Sequence, residues 1–350
     1  MKPRLLDHPR CPECFSTLRL DNPLRGPGHP EEILGGSLAC TGCSAAYPVR
    51  SGVPSFVERS GHDARTRSSF GYLWTQSAKR GDPPQRYHLE QMRDSLPLPP
   101  LKGLVLDAGC GEGIDLVNAS KAPGAELIGV ELSDGGAQVS FERAAGYPAA
   151  HVVQADLARL PFAPETFDFI YSYGVLHHMP DPAAGMRELS RALKPGASAA
   201  IYLYEDFSDR RGLWRWLLAA VNRSRAVTTV LPHRLLYALC AAGSPLVWLL
   251  FTVPHTLLNL LPPARGIAAS FPFRHGTGPF SLTGDLYDRF SAPVEKRYNS
   301  ASAVSLLKES GLEQVATRKN RGWMLLGNKP NPVPGTSYPV PTEKVTTAAL

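Results

Sequence analysis

Between Arg210 and Gly284 the sequence holds no aspartate, no glutamate and no lysine, although eight arginines fall in the same stretch. The basic excess of the chain, a formal net charge of +6 with pI about 9.0, is therefore unevenly placed. The opening residues MKPRLLDHPRCPEC lack the apolar core of about 7–15 residues that a secretory signal requires, so none is expected. A cytoplasmic, reducing setting follows as the expectation, and there paired cysteines point to metal rather than to disulfides. No internal repeat is present, which excludes solenoid and propeller architectures. What the chain does have is length and apolar content. Its 350 residues are 43% hydrophobic, which excludes global disorder and allows one large domain with appendages.

The chain divides into six expected parts. Residues 1–59 read as a small module and 60–100 as a helical connector or lid. Residues 101–204 and 281–329 form a core, split by an apolar, arginine-rich helical insert at 205–280. Residues 330–350, rich in proline, read as a disordered tail. Within the core, strand-like runs alternate with helical patterns, the signature of an α/β fold with a parallel sheet. Strands are expected at Leu104–Ala108, Leu127–Glu131, His151–Gln154, Phe167–Tyr171 and Ala197–Tyr204. Helices start near Gly113, Gly135 and Pro182, and Lys194-Pro195-Gly196 stops the last of them. Ser300–Ser310 reads as a helix. A terminal hairpin follows, with strands Leu312–Lys319 and Gly322–Lys329.

The segment VLDAGCGEG, residues 105–113, places three glycines between a buried strand and a helix start. Missing side chains let the backbone approach a ligand, and the helix N-terminus offers free N–H donors. Three acids sharpen that signal. Asp107 precedes the loop, where a carboxylate suits an ammonium or sulfonium and repels a phosphate. Glu131 ends the next strand and can accept from ribose hydroxyls. Asp156 follows the third strand and can accept from an adenine amino group, with Leu157 over the ring. All three sit at C-terminal strand ends, where ligands bind in open α/β sheets.

VLDAGCGEG, GVELS, QADLARLPF, FDFIYSYGVLHHMPD and LSRALKPGASAAIYLY, taken in order, resemble the successive motifs of class I S-adenosylmethionine-dependent methyltransferases. The similar subgroup is the type 11-like one, which includes the quinone-biosynthesis C-methyltransferases. The resemblance covers about residues 101–204 and resumes near 281–329. It implies a Rossmann-like seven-stranded sheet with the last strand antiparallel. It also implies S-adenosylmethionine as cofactor, held by Asp107, Gly109, Gly111, Glu131, Asp156 and Leu157. Cys110, Gly113, Leu132 and Ser172 are expected on the same surface. A dinucleotide-binding oxidoreductase fits less well, because its glycine motif lacks an acid such as Asp107 ahead of the loop.

Methyl transfer needs a base only where the acceptor must lose a proton. Tyr171, Tyr173, His177 and His178 follow or end the fourth strand. Tyr173, His177 and His178 are the catalytic candidates, weighed against plain packing. The adjacent histidines have the wrong spacing for a metal. Asp168 reads as structural. Tyr287, Asp288 and Tyr298 are candidates for an acceptor pocket.

Four of the six cysteines form Cys11-Pro-Glu-Cys14 and Cys40-Thr-Gly-Cys43, separated by 25 residues. Two such knuckles indicate a structural Zn2+ held by four thiolates. The segment Ala46–Phe56 resembles the closing strands of small zinc-ribbon proteins that partner methyltransferases. Zinc-bearing ribosomal RNA methyltransferases tend to carry histidine in the second knuckle, and Cys43 departs from that. Ser69–Trp74 resembles a lid segment over the cofactor cleft.

In the insert, Leu235–Leu261 is uncharged and long enough to span a bilayer on length alone. Pro245, Pro254, His255 and Asn259 are expected to interrupt it. A single crossing would also separate two parts of one core. A helical cap over the site and a membrane-facing surface through 210–275 both remain open. Both point to a hydrophobic or lipid-like small acceptor. The expected location is cytoplasmic, with peripheral contact to the inner membrane under the second reading. Nucleic acid is the less favoured partner, and the oligomeric state is not legible. Two alternatives stand beside methylation of a small acceptor. One is an RNA methyltransferase guided by the ribbon. The other is a non-enzymatic protein that binds cofactor or partner, which a collapsed cleft at Gly109–Gly113 would favour.

Overall fold

The computed structural model describes residues 1–26, 29–57, 64–80, 87–209, 212–269 and 271–332. The chain opens with a 3-10 turn, Pro3–Asp7, and a four-stranded antiparallel sheet. Its strands are β1 (Leu18–Gly26), β2 (His29–Cys40), β3 (Ala46–Arg50) and β4 (Val53–Pro54), in that order. Two helices follow, α1 (Ala64–Arg80) and α2 (His88–Ser95).

Next come β5 (Gly103–Ala108), α3 (Ile114–Ala119), β6 (Ala125–Glu131), α4 (Asp134–Ala144) and β7 (Ala150–Gln154). β8 (Phe167–Tyr173), a 3-10 turn at Leu176–His178, α5 (Pro182–Ala192) and β9 (Leu193–Tyr204) continue the alternation. The insert holds α6 (Gly212–Thr228), α7 (His233–Val247), α8 (Val253–Asn259) and α9 (Arg265–Ala268). The chain returns through α10 (Thr283–Ser291), α11 (Ser300–Glu309), β10 (Glu313–Lys319) and β11 (Gly322–Asn328).

The main sheet has seven strands in the order β10-β11-β9-β8-β5-β6-β7. β5, β6, β7, β8 and β9 pair in parallel, and β11 runs antiparallel to β9. This is the expected Rossmann-like sheet with its last strand reversed. The strand order turns between β5 and β8, the switch point where open α/β sheets take their ligands.

Local chemistry sets the helix starts. Ser133 accepts from Gly136 N and caps α4. Asp181 accepts from Ala183 and Ala184 N with Pro182 at the first helical position of α5. Asn299 and Ser302 form a reciprocal capping box on α11. The expected boundary at Lys194–Gly196 shifts: β9 begins at Leu193, directly after α5. The turn at Gly196 is therefore a kink within the strand, tied by its N–H to Lys329 O.

Two apolar layers cover the sheet. One joins Leu106, Val130, Ile170 and Leu203 to Leu176, Leu189 and Leu307. The other joins Val105, Leu127, Tyr171 and Tyr202 to Leu89, Met92 and Leu116. Met1, Leu5, Ile33, Leu38 and Val49 of the small sheet belong to the first layer, alongside Val153, Leu157 and Phe162. The small sheet is thus welded to the core. Ser55 bridges in parallel to Gln154, and Lys2 Nζ donates to Ala144, Tyr147 and Ala150 carbonyls at 2.7–2.9 Å.

The insert corrects one expectation. Pro245, Pro254 and His255 do not interrupt the helix, which runs unbroken through 27 residues from His233 and ends at Asn259. Pro245 lies inside α7, and a π turn at Trp248–Thr252 follows it. The wider π turn takes up the backbone mismatch of Pro254, because the carbonyl four residues before it, that of Leu250, lies inside the turn. Pro254 sits in the first turn of α8.

Candidate functional site

Asp107, Glu131 and Asp156 stand on or just after β5, β6 and β7, three adjacent parallel strands. They therefore line one edge of the sheet, in strand order. Asp107 and Glu131 are buried, and Asp156 is half-buried. Tyr171 Oη donates to Asp107 Oδ2 at 2.7 Å. Glu131 Oε2 accepts from Gly111 N at 3.1 Å, and its Oε1 accepts from Ser133 N and Oγ at 2.9 and 2.6 Å. Asp156 accepts from Ala158 N at 2.8 Å and holds its own turn, with Leu157 buried beside it.

Burial pushes the Asp107 carboxyl well above the usual carboxylate range, and neighbouring Asp115 and Glu131 push it further. Tyr171 opposes that shift by its hydrogen bond. Burial likewise raises Glu131, against hydrogen bonds from Ser133 and Gly111. Two buried acids without a cation are a costly pair. A ligand that brings positive charge to Asp107 relieves that cost.

The loop between them is glycine for two reasons at once. Gly109 and Gly111 have φ of +91° and +55°. A Cβ at Gly109 would lie 2.3 Å from Val175, and one at Gly111 would lie 2.9 Å from the Trp74 ring. Gly113 is also left-handed and starts α3. Cys110 is buried near Ser140 Oγ, and burial raises its thiol well above the ordinary range. Ser172 Oγ donates to Ala108 O at 2.8 Å, fixing β8 against the loop. Leu132 is half-buried. Its carbonyl accepts from Gln154 Nε2 at 3.1 Å. Gln154 also reaches Asp134 and so orients the turn after Glu131, a role that sequence reasoning missed.

α1 packs on α4, and Trp74 lies against both Gly111 and Gly136. Phe70, one turn earlier, stacks with Trp74 at 6.5 Å and meets the His178 ring at 5.1 Å. The glycine loop is thus covered.

The catalytic candidates separate into two groups. Tyr173 is sandwiched between His88 and Tyr202, with ring centroids 4.2 Å away on each side. Burial lifts its phenol to about 12. His177 and His178 stand instead against Tyr204, at 3.8 and 5.8 Å. His177 is fully buried, and neither ring nitrogen has a partner among the described residues. Burial drops it well below the usual imidazole range, so it is neutral. His178 Nδ1 lies 2.9 Å from Val294 O, which places an N–H there, and Nε2 is buried with no partner among the described residues.

Tyr204 Oη donates to Asp288 Oδ2 at 3.2 Å. Asp288 Oδ1 is buried with no partner among the described residues, and burial raises its carboxyl. Tyr298 is half-buried, and its carbonyl accepts from Trp323 Nε1. Tyr287 turns away and bonds His233 Nδ1 at 2.7 Å, so it does not join this group. The rings His88, Tyr173, Tyr202, Tyr204, His177 and His178 form a continuous array at the ends of β8 and β9. Tyr202 and Tyr204 were absent from the sequence candidates. Their alternation in Ile201-Tyr-Leu-Tyr204 was the available signal, since period two puts both on one face. Asp168 accepts from Leu104 N and Lys194 Nζ at the opposite end of the strands.

Residues 106–201 match the family model of a methyltransferase domain. The stretch runs from within β5 to within β9 and so contains the glycine loop and all three acids. Among similar proteins, the methyltransferase GfsG of Streptomyces halstedii is 36% identical over 28% of this chain and 36% of its own length. Cycloartenol-C-24-methyltransferase 1 of Oryza sativa subsp. japonica is 36% identical over 28% of this chain and 29% of its own. The demethylmenaquinone methyltransferase of Staphylococcus aureus (strain MRSA252) is 34% identical over 27% of this chain and 41% of its own. The chain thus spans less than half the length of these relatives.

The four thiols of the small sheet also converge. Cys11, Cys14, Cys40 and Cys43 have all their Sγ atoms within 4.8 Å of one another. Cys11 and Cys43 are 3.7 Å apart, and Cys14 and Cys40 are 3.4 Å apart. A tetrahedron of thiolates about 2.3 Å from zinc has edges of about 3.8 Å, so the set fits. Gly42 N donates to Cys40 Sγ, as the outer shell of such a centre does.

Proposed function

We propose that the chain transfers a methyl group from S-adenosylmethionine to a small, apolar or lipid-like acceptor. The observation that carries this reading is the pair of buried carboxylates, Asp107 and Glu131, at a covered glycine loop inside the methyltransferase match. Asp107 would face the cationic end of the cofactor, Glu131 the ribose hydroxyls, and Asp156 with Leu157 the adenine. When bound, the cofactor supplies an electrophilic methyl group and a neutral leaving thioether.

The protein's own contribution is mainly placement and exclusion of water. Trp74, Phe70 and the ring array around Tyr204 enclose the side where an acceptor would approach. Where the acceptor carries a proton, His178 Nε2 is the best-oriented base, because Val294 O fixes its tautomer. Two relatives are named for cycloartenol and demethylmenaquinone, which supports an apolar acceptor. The cysteine-bearing module would hold one structural zinc in a closed site.

The covering of Gly111 by Trp74 favours the non-enzymatic reading if α1 never opens. One titration separates the two. Calorimetry with S-adenosylmethionine should show one binding event that Asp107→Ala abolishes. Absence of heat with the wild-type protein would favour the second reading. Extracts incubated with protein and methyl-labelled cofactor should then carry label in the lipid or small-molecule fraction.

A further inference from the structure

The continuous helix His233–Asn259 has an outward face more apolar than that of an ordinary surface helix. Three of its polar side chains are tied to the segment that follows it, whereas Arg234, Thr256 and Asn259 are exposed. Ser244 Oγ donates to Pro279 O, Thr252 Oγ1 donates to Phe273 O, and His255 Nδ1 lies 2.8 Å from Ala268 O. Its outward face carries Leu235, Leu239, Leu246, Leu249, Leu250 and Leu257, all exposed. Only 22% of its most apolar window is buried. The apolar surface continues past α8 through Leu260, Leu261 and Ile267, and α6 adds Trp216, which is 78% exposed.

The charges that residues 210–284 themselves carry have one sign. Arg234 and Arg265 are exposed at its two ends, and Arg215 and Arg223 are exposed on α6. No carboxylate occurs from 210 to 284 to oppose them. The helix is about 40 Å long. It cannot cross a bilayer here, because α7 packs against α10, and β9 and β11, which flank the insert in sequence, pair in the same sheet.

From this arrangement we infer that the α7–α8 face docks flat on an anionic lipid surface. The leucines and Trp216 would enter the headgroup–acyl boundary, and the four arginines would meet lipid phosphates. A second copy of the chain would satisfy the leucines equally well. It would, however, bring the arginines against arginines, so charge complementarity selects the lipid. The inference is independent of methyl transfer, since binding can be scored without cofactor.

The test uses the full chain and sedimentation with vesicles of phosphatidylcholine alone or mixed with phosphatidylglycerol. The protein should sediment with the mixed vesicles and release as salt rises. Leu249→Ser with Leu250→Ser should weaken partitioning at least about tenfold. Arg234→Gln with Arg265→Gln should cost about fivefold per arginine and remove the preference for anionic lipid. Both variants alter exposed positions, so their melting temperatures should match the wild type. Equal partitioning to both vesicle types would overturn the inference, as would no binding or leucine variants that bind normally. So would a dimer, seen by analytical ultracentrifugation, that the leucine substitutions dissociate.

Discussion

Replacing Asp107 by asparagine should move ligand affinity and fold stability in opposite directions. Asparagine keeps an oxygen for the Tyr171 hydroxyl, now 2.7 Å from the carboxylate, but removes the charge. A buried carboxylate facing a cation contributes about 2–4 kcal/mol, so the dissociation constant for S-adenosylmethionine should rise about 30- to 800-fold. Stability behaves otherwise. The Asp107 carboxyl is raised in the folded protein by burial and by Asp115 and Glu131. A raised acid binds more protons folded than unfolded, so its contribution falls as pH rises above the ordinary carboxylate range. The asparagine variant escapes that loss. Ligand-free, it should melt at or above the wild-type temperature, and the gap should widen from about pH 5 to about pH 8. Calorimetry gives the affinity, and scanning calorimetry across pH gives the stability. Unchanged affinity would refute the site. Lost affinity with a melting temperature lowered by more than about 4 °C would show instead that Asp107 holds the fold.

Trp74→Ala should uncover Gly111 and speed cofactor association in stopped-flow mixing; an unchanged rate would mean that α1 is no gate. Cys14→Ser and Cys43→Ser should each remove the single zinc found by elemental analysis in the wild type. They should also lower the melting temperature, because the small sheet shares its core with Val153, Leu157 and Phe162. A wild-type protein without stoichiometric zinc would sink that assignment. His178→Gln should lower kcat by about 10²-fold or more without moving KM, for an acceptor that loses a proton. His177→Phe should keep the melting temperature, since the imidazole it replaces is buried with neither nitrogen partnered among the described residues.

The sheet and the glycine loop were legible because both are short-range features. Buried parallel strands read as apolar runs, and glycine with Asp107 marks the loop within nine residues, 105–113. The four thiols were legible for a similar reason, since knuckle spacing sets their geometry. The ring array was not. His88, Tyr173 and Tyr202 are far apart in sequence, and only the pairing of β8 with β9 and the packing of α2 on β8 bring them into one stack. The docking of the small sheet on β7 through Ser55 and Gln154 was invisible for the same reason. Misreading the insert had a different cause. Proline breaks a regular α-helix, but the π turn at Trp248–Thr252 relaxes the local hydrogen-bond pattern, and no sequence rule signals that turn.

α1 connects the two halves of the molecule that were read separately. One side of it lays Phe70 and Trp74 over His178 and the glycine loop. The other side stacks Tyr72 on His233 at 5.6 Å and meets Tyr237 and Tyr287. At its start, the Arg65 guanidinium donates to the carbonyls of Thr229 and Leu231, between α6 and α7. Ser69 Oγ donates to Ser291 Oγ of α10. A helix of 17 residues moves largely as a rigid body. Any displacement that frees Gly111 from Trp74 therefore strains the Tyr72 stack and the Arg65 bonds.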